Sequence, residues 1–133
     1  MTTLKLSRSG MASLALAACL GVALQCGVVR SAEAAQTRCG WLDNPTPGNW
    51  WLDDRDGSWT IGTMGGPQAQ GIDRIPDASD AQFVATNGPH GYSCACLKVV
   101  VDKKDMRVVR ILSARQLPLA TCRADTRLPK PPQ

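Results

Sequence analysis

The chain contains few of the residues that most often perform catalysis. Its 133 residues include one histidine, His90, and one glutamate, Glu33, and no serine has the spacing of a hydrolase nucleophile elbow. His90 lies in a Gly-Pro-His-Gly turn, where a solvated loop residue is the default, and it has no recognisable catalytic partner. The sequence therefore predicts that the protein is not an enzyme.

Patterns typical of metal, cofactor and nucleic-acid binding are missing too. Asp54–Gly57 superficially resembles part of a calcium loop, but Leu52 and Thr63 stand where that loop needs acidic ligands. The net charge of +4 falls to +2 when residues 1–34 are left out, which is too small to indicate nucleic-acid binding. We expect no metal, no cofactor and no nucleic-acid partner.

The start of the chain has the features of an export signal. Lys5 and Arg8 precede an almost unbroken apolar run from Met11 to Val29, and Ala32-Glu33-Ala34 fits a small-x-small cleavage site. Residues 1–34 are therefore predicted to be a signal peptide, which places the protein in the periplasm or outside the cell. Two alternatives stay open. Cys19 ends a lipobox-like Leu-Ala-Ala-Cys and could carry a lipid, and the apolar run is long enough to be retained as a membrane anchor.

The four cysteines beyond the leader predict disulfides. An even number of cysteines in a short exported domain is typical of a disulfide framework and not of a zinc site or a reactive thiol pair. Cys94 and Cys96 are two residues apart on a strand pattern, so a bond between them would strain the backbone. Cys39 and Cys122 should each bond to one of this pair, and which bonds to which stays open.

All four tryptophans lie between Cys39 and Ile61, around the turn-forming Asp56-Gly57. A two-residue turn at Asp56-Gly57 pairs Arg55 with Ser58, whereas a three-residue loop pairs Asp54 with Ser58. The first register separates apolar from polar side chains better, and we prefer it. Trp50, Leu52, Trp59 and Ile61 then share one face.

Trp50 and Trp51 are adjacent, so they cannot both enter one core. The preferred register leaves Trp51 outside, beside Asp53 and Arg55, where it could stack on a sugar ring or fill a partner's pocket. The alternative is that the proline-containing loop Asn44–Gly48 folds over it.

The remaining segments predict a small all-β domain. Residues 62–80 are rich in glycine, proline and aspartate and indicate a long irregular connection, either functional or disordered. The strongest strand pattern, Tyr92–Asp102, has two largely apolar faces, so we expect a central strand with a core on one side and disulfide-linked segments on the other. The predicted class is a disulfide-stapled antiparallel barrel or sandwich of five or six strands, with an oligonucleotide/oligosaccharide-binding (OB) type of barrel preferred. Residues 35–126 are predicted to form a single domain that is monomeric. The proline-rich tail 127–133 is predicted to be disordered.

Several short motifs together resemble a known family. They are Arg38-Cys39-Gly40-Trp41, Asn44-Pro-Thr-Pro-Gly-Asn-Trp50, Asp56-Gly-x-Trp59-x-Ile61, Gly91-Tyr-x-Cys94-Ala-Cys96-Leu-Lys98 and Pro118-Leu-x-x-Cys122-Arg123. In these motifs the chain resembles a family of small exported bacterial domains of unknown function. The resemblance implies export and brings neither an activity nor catalytic residues.

The preferred functional hypothesis is a non-enzymatic envelope module that binds a protein or a glycan. Its candidate binding residues are Trp51, Asn44, Asn49, His90 and Tyr92. One alternative is a structural or stress-related exported protein without a defined ligand, and a second, weaker one is a thiol oxidoreductase. Membrane association is expected only if the leader is retained or Cys19 is lipidated.

Overall fold

The structure is a computed structural model, and it describes residues 33–133. The predicted leader and the lipobox at Cys19 lie outside these residues, apart from the last two positions of the leader. The described part contains six strands and one α-helix: β1 (Gln36–Thr46), β2 (Asn49–Asp54), β3 (Gly57–Gly62), β4 (Phe83–Asn87), β5 (His90–Asp102), β6 (Arg107–Leu117) and α1 (Leu119–Ala124). Short 3-10 turns at Ile72–Arg74 and Asp80–Gln82 lie in the connection between β3 and β4.

The strands close into a barrel. Their order is β1-β2-β3-β6-β5-β4, and an additional pairing of β1 with β5 joins the ring, so that β4 lies outside it as an extension on β5. The junction between β3 and β6 is a single parallel bridge from Thr60 to Arg107, whereas the other strand pairs are antiparallel. A partly open five-stranded barrel confirms the predicted all-β class and fits the OB type. The sheet is therefore mixed, with one parallel junction in an otherwise antiparallel barrel.

Inward-facing side chains fill the barrel. Leu97, Val99 and Val101 alternate along β5 and are fully buried, as expected for every second residue of a strand that faces a core. They pack with the inward residues of the neighbouring strands, chiefly Leu42, Leu52, Trp59, Ile61, Val108 and Ile111. Leu52, Trp59 and Ile61 thus share the inner face, as the hairpin analysis predicted.

A second apolar cluster lies on the outer face of β5. Trp41 and Tyr92 meet edge to face, with ring centroids 5.4 Å apart and an interplanar angle of 84°. Cys94, Leu119 and Cys122 complete this outer cluster, so α1 covers the face of β5 that points away from the barrel. The prediction that β5 is central, with a core on one side and disulfide-linked segments on the other, is confirmed.

The disulfides are Cys39–Cys96 and Cys94–Cys122. Cys39 stands directly opposite Cys96 in the β1–β5 register, so the first bond joins neighbouring strands. The second ties β5 to α1. Both bonds agree with the prediction that Cys94 and Cys96 bond to the two distant cysteines, and they resolve the pairing that the sequence left open.

The start of the proline-rich tail contacts the outer cluster. Leu128 packs against this cluster, and the indole N–H of Trp41 donates a hydrogen bond of 3.1 Å to the carbonyl oxygen of Pro129. Trp41 is 1% exposed, and its N–H needs an acceptor when the ring is buried. The tail supplies that acceptor, and the disorder of residues 127–133 stays a prediction.

The hairpin turn differs from both predicted registers. Asp54 pairs with Gly57, and Leu52 pairs with Trp59, so the two turn residues are Arg55 and Asp56. This register lies two residues from the preferred one. Because side chains alternate with a period of two, the shift keeps the same residues on the inner face, while a one-residue slip would have reversed them.

An ion pair closes one end of the barrel and explains this register. Arg38, 8% exposed, donates to Asp54 at 2.6 Å and to Asp56 at 2.8 Å, and its guanidinium lies 3.8 Å from the ring centroid of Trp59. The other carboxylate oxygen of Asp54 accepts from the Trp59 indole at 3.0 Å and from the backbone N–H of Asp56 at 2.8 Å. Asp54 is therefore held inside the barrel, and the turn begins after it.

Candidate functional site

The opposite end of the barrel is open and forms a cavity of about 700 Å³. It begins where the inward positions of β1 and β5 change from apolar to polar: Leu42 is followed by Asn44, and Ala95 is preceded by Ser93. The volume lies within the range of roughly 300–1,000 Å³ typical of small-molecule sites. Its remaining walls come from Trp50, Gln68, Ile72, Asp73, Ile75, Pro76, Asp77, Ala78, Asp80, Phe83, Pro89, His90 and Gly91.

The connection between β3 and β4 forms one wall of this cavity. Backbone bonds fix its course: Ala69 donates to Ile61 at 2.8 Å, Gln70 donates to Val109 at 3.0 Å, and Ile111 donates to Gln70 at 2.8 Å. The segment thus continues the sheet across the gap between β3 and β6. These backbone bonds place Ile72 and Ile75 at the cavity. Both residues lie in the segment that the sequence predicts to be an irregular connection.

His90 and Asn44 meet at the cavity wall, as two of the five predicted binding residues. His90 Nδ1 lies 2.8 Å from Asn44 Oδ1. The amide nitrogen of Asn44 donates to the carbonyl oxygens of Thr46, at 2.9 Å, and Asn49, at 2.6 Å. Asn44 therefore links the β1–β2 turn to the histidine that begins β5.

Asn49 has a supporting position. Its amide nitrogen donates to Thr46 Oγ1 at 2.6 Å, and its oxygen accepts from the backbone N–H of Met64 at 2.8 Å. Gln68 donates from the same segment to the carbonyl oxygen of Gly48 at 3.1 Å. These bonds hold the β1–β2 turn against the connection that walls the cavity.

The adjacent tryptophans separate at the cavity. A bulge between Trp50 and Trp51 shifts the β2–β3 register, and Trp50 lines the cavity. Trp51 lies on the outer face, opposite Asp43 of β1 and Thr60 of β3, and is half-buried. The sequence predicted that Trp50 shares the inner face with Leu52 and that Trp51 lies on the outer face, and the structure has Trp50 at the cavity and Trp51 outside.

Tyr92, like Trp51, does not line the cavity. Its side chain is 8% exposed and packs on Trp41 in the outer cluster. The predicted binding set is therefore divided: Asn44 and His90 line the cavity, Asn49 braces the adjacent turn, and Trp51 and Tyr92 lie on the other side of the sheet. Their roles in binding stay predictions. Trp50, Ile72, Ile75 and Phe83 also line the cavity, and the binding residues predicted from the sequence did not include them.

Charge is unevenly placed around the site. Asp73, Asp77 and Asp80 are exposed and belong to the cavity lining, and none of the lysines or arginines of residues 33–133 lines it.

On the outer face, burial and the neighbouring Asp53 raise the pKa of Asp43 to about 6. One oxygen of Asp43 is buried without a hydrogen-bond partner, which adds to the cost of ionising it.

Residues 33–133 contain neither a grouped set of metal ligands nor a membrane-spanning helix. Within residues 33–133, no three or more His, Cys, Asp or Glu side chains are grouped as a metal site. No helix in the same range has the length and hydropathy required to cross a bilayer.

The fold and cavity define a small, disulfide-linked β-barrel domain with a ligand-sized opening. The chain belongs to the family described as "Protein of unknown function (DUF4087)", which matches residues 33–129. This match confirms the family resemblance inferred from the motifs. Comparisons with curated proteins and with solved structures each found no match.

Proposed function

We propose that the protein is a non-enzymatic binding module of the bacterial envelope and that its ligand enters the cavity at the barrel mouth. The observation that carries the proposal is the cavity of about 700 Å³, in which Trp50 contributes to a mostly apolar lining and His90 is held by Asn44. Concave sites of this size, mostly apolar and with a few fixed polar groups, are the usual form of a ligand site. The dimensions suit a small group on a partner, such as a sugar unit or a single side chain.

The arrangement of polar groups supports binding over catalysis. His90 Nδ1 is occupied by Asn44, and among the described residues no side chain within hydrogen-bond distance of the imidazole could be a nucleophile for it to activate. The four cysteines are bonded in pairs, so thiol chemistry would require prior reduction. Disulfides of this kind are typical of oxidising compartments, which supports placement in the periplasm or outside the cell.

The adjacent tryptophans offer a matched test. Trp50→Ala and Trp51→Ala remove the same side chain from neighbouring positions that face the cavity and the outer surface, respectively. Each variant and the unmodified protein would be immobilised and used to capture partners from an extract of bacterial envelope, including its soluble glycan fragments. We expect Trp50→Ala to reduce capture at least about tenfold, since a buried tryptophan anchor contributes about 2 kcal/mol or more, and Trp51→Ala to leave it near the unmodified level.

The opposite result would place binding on the outer hairpin surface, as the sequence predicted, and would contradict the cavity. Loss of capture in neither variant would contradict both sites. If the unmodified protein captured nothing specific, the structural alternative without a ligand would replace the proposal. Circular dichroism and non-reducing gels would show that both variants remain folded and disulfide-bonded.

A further inference from the structure

We infer that the barrel-mouth cavity is a site for a neutral sugar, whose hydroxyl group donates a hydrogen bond to Nε2 of His90. The inference rests on the proposed function and names the ligand class for that site. It follows from how Asn44 orients the histidine and from the polar groups that share the cavity.

The hydrogen bonds of Asn44 decide which nitrogen of His90 carries the proton. Both hydrogens of the Asn44 amide point to backbone carbonyl oxygens, of Thr46 and Asn49, which can only accept. The oxygen of Asn44, which also can only accept, therefore faces His90 Nδ1 at 2.8 Å. The neutral imidazole must carry its hydrogen on Nδ1, and Nε2 is left with a lone pair.

Nε2 is the free acceptor of a side chain that lines the cavity. It makes no hydrogen bond to any described residue. A lone pair held in a fixed direction accepts from hydroxyl or N–H groups and repels carbonyl, carboxylate and phosphate oxygens. The cavity therefore selects a ligand that donates.

The other polar groups of the cavity favour the same kind of ligand. Asp73, Asp77 and Asp80 present carboxylates, and no arginine or lysine of the described chain lines the cavity to pair with an anion. An anionic ligand would lose its hydration without gaining a cation, which is costly. Anions are therefore poor candidates.

A cationic ligand fits less well than a neutral one. The three aspartates are exposed, so they lie at the rim, where solvent screens them. An ammonium group next to His90 would lose part of its hydration and would face a nitrogen lone pair instead of a negative charge. A buried charge requires a closely paired counter-charge. A sugar ring instead places its apolar C–H face on Trp50 and its hydroxyls toward the acceptors, which matches the two surfaces of this cavity.

The test uses three probes with the unmodified protein: tetra-N-acetylchitotetraose as a neutral oligosaccharide, spermidine as a cation and tetragalacturonate as an anion. Binding would be followed by calorimetry. We expect the neutral oligosaccharide to bind and spermidine and tetragalacturonate to bind much more weakly or not at all, because only the neutral ligand places hydroxyl donors at Nε2 without a desolvated charge.

Two variants test the acceptor role of His90. His90→Asn can keep the bond to Asn44 but has no atom at the position of Nε2, so we expect about tenfold weaker binding of the oligosaccharide. His90→Gln offers an uncharged acceptor near that position and should keep most of the affinity. An equal loss of affinity in the two variants would contradict the acceptor role.

The outcomes distinguish this inference from the function on which it rests. Binding of spermidine or tetragalacturonate that is lost in Trp50→Ala would overturn the sugar assignment and keep the cavity as the binding site. Oligosaccharide binding that is unaffected by Trp50→Ala would overturn the cavity itself. Unchanged affinity in His90→Asn would overturn the role of His90, and failure of the oligosaccharide to bind would overturn the ligand class.

Discussion

Replacing Asp54 with alanine is expected to destabilise the fold by about 3–5 kcal/mol, the usual loss when one partner of a buried ion pair is removed. Asp54 is 4% exposed, and its two oxygens together accept bonds from Arg38, from the Trp59 indole and from the backbone N–H of Asp56. The substitution removes all of these acceptors at once. It also leaves a buried guanidinium charge.

The same guanidinium provides a control for this magnitude. Asp56 also accepts from Arg38, at 2.8 Å, but its side chain is 58% exposed. Exposed pairs contribute roughly 0–1 kcal/mol, so Asp56→Ala should cost no more than about 1 kcal/mol. The two substitutions remove carboxylates of equal charge at nearly equal distance from Arg38, and they differ in burial and in the two further hydrogen bonds that Asp54 accepts.

Urea denaturation with both disulfides intact would measure the difference. With a slope of about 1.5 kcal/mol per molar urea for a domain of this size, the midpoint of Asp54→Ala should fall by about 2–3 M. That of Asp56→Ala should fall by less than about 1 M. Equal and small shifts in the two variants would refute the claim that this ion pair closes the barrel end and fixes the hairpin register.

Three further predictions follow from the described contacts. Replacing Cys94 and Cys122 together by alanine should lower the free energy of unfolding by about 3.6 kcal/mol in the chain-entropy model for a separation of 28 residues, measured by urea denaturation. Burial, with a neighbouring carboxylate, raises the pKa of Asp43 to about 6, above its value in the unfolded chain. Ionisation therefore opposes folding, and stability should fall as pH rises from about 4 to about 6 in the unmodified protein but not in Asp43→Asn, as thermal melts would show. Gly91→Ala should cost about 1–3 kcal/mol and loosen β4, since a Cβ there would collide with the backbone carbonyl of Val84; hydrogen exchange that stays unchanged in β4 would contradict this.

The hairpin illustrates how far local sequence reasoning could go. The period of two predicted which residues of the hairpin face the core, and Leu52, Trp59 and Ile61 are buried as expected. The turn itself was misplaced because Asp-Gly is a local signal. Its position is decided by Arg38, which lies on another strand and draws Asp54 inside. A contact between residues so far apart in sequence cannot be inferred from turn propensity.

The cavity could not be predicted from the sequence, because one of its walls also depends on contacts between distant residues. Asn44 and His90 were predicted as binding residues in two separate turn segments, and the structure brings them within hydrogen-bond distance. The opposite wall depends on the connection between β3 and β4. That segment has no periodic pattern, and it is ordered by backbone bonds such as those of Gln70 to Val109 and Ile111. Composition alone predicted equally a functional loop and a disordered one.

The polarity of the barrel interior is the strongest reason to expect a ligand at this mouth. Along β1 the inward face passes from Leu42 to Asn44, and Leu42 stands opposite Ser93, which is 6% exposed. An apolar side chain at Ser93 would extend the core, whereas inward polar groups reduce stability unless they are satisfied, as those of Asn44 are by Thr46, Asn49 and His90. A stable barrel alone does not need this arrangement, since the other end is closed by Arg38 and Asp54 in a dense network. Unfilled volume and oriented polar groups at one end are the usual sacrifice of stability for binding, and they support the proposal of a ligand inside the barrel mouth rather than on the tryptophan hairpin.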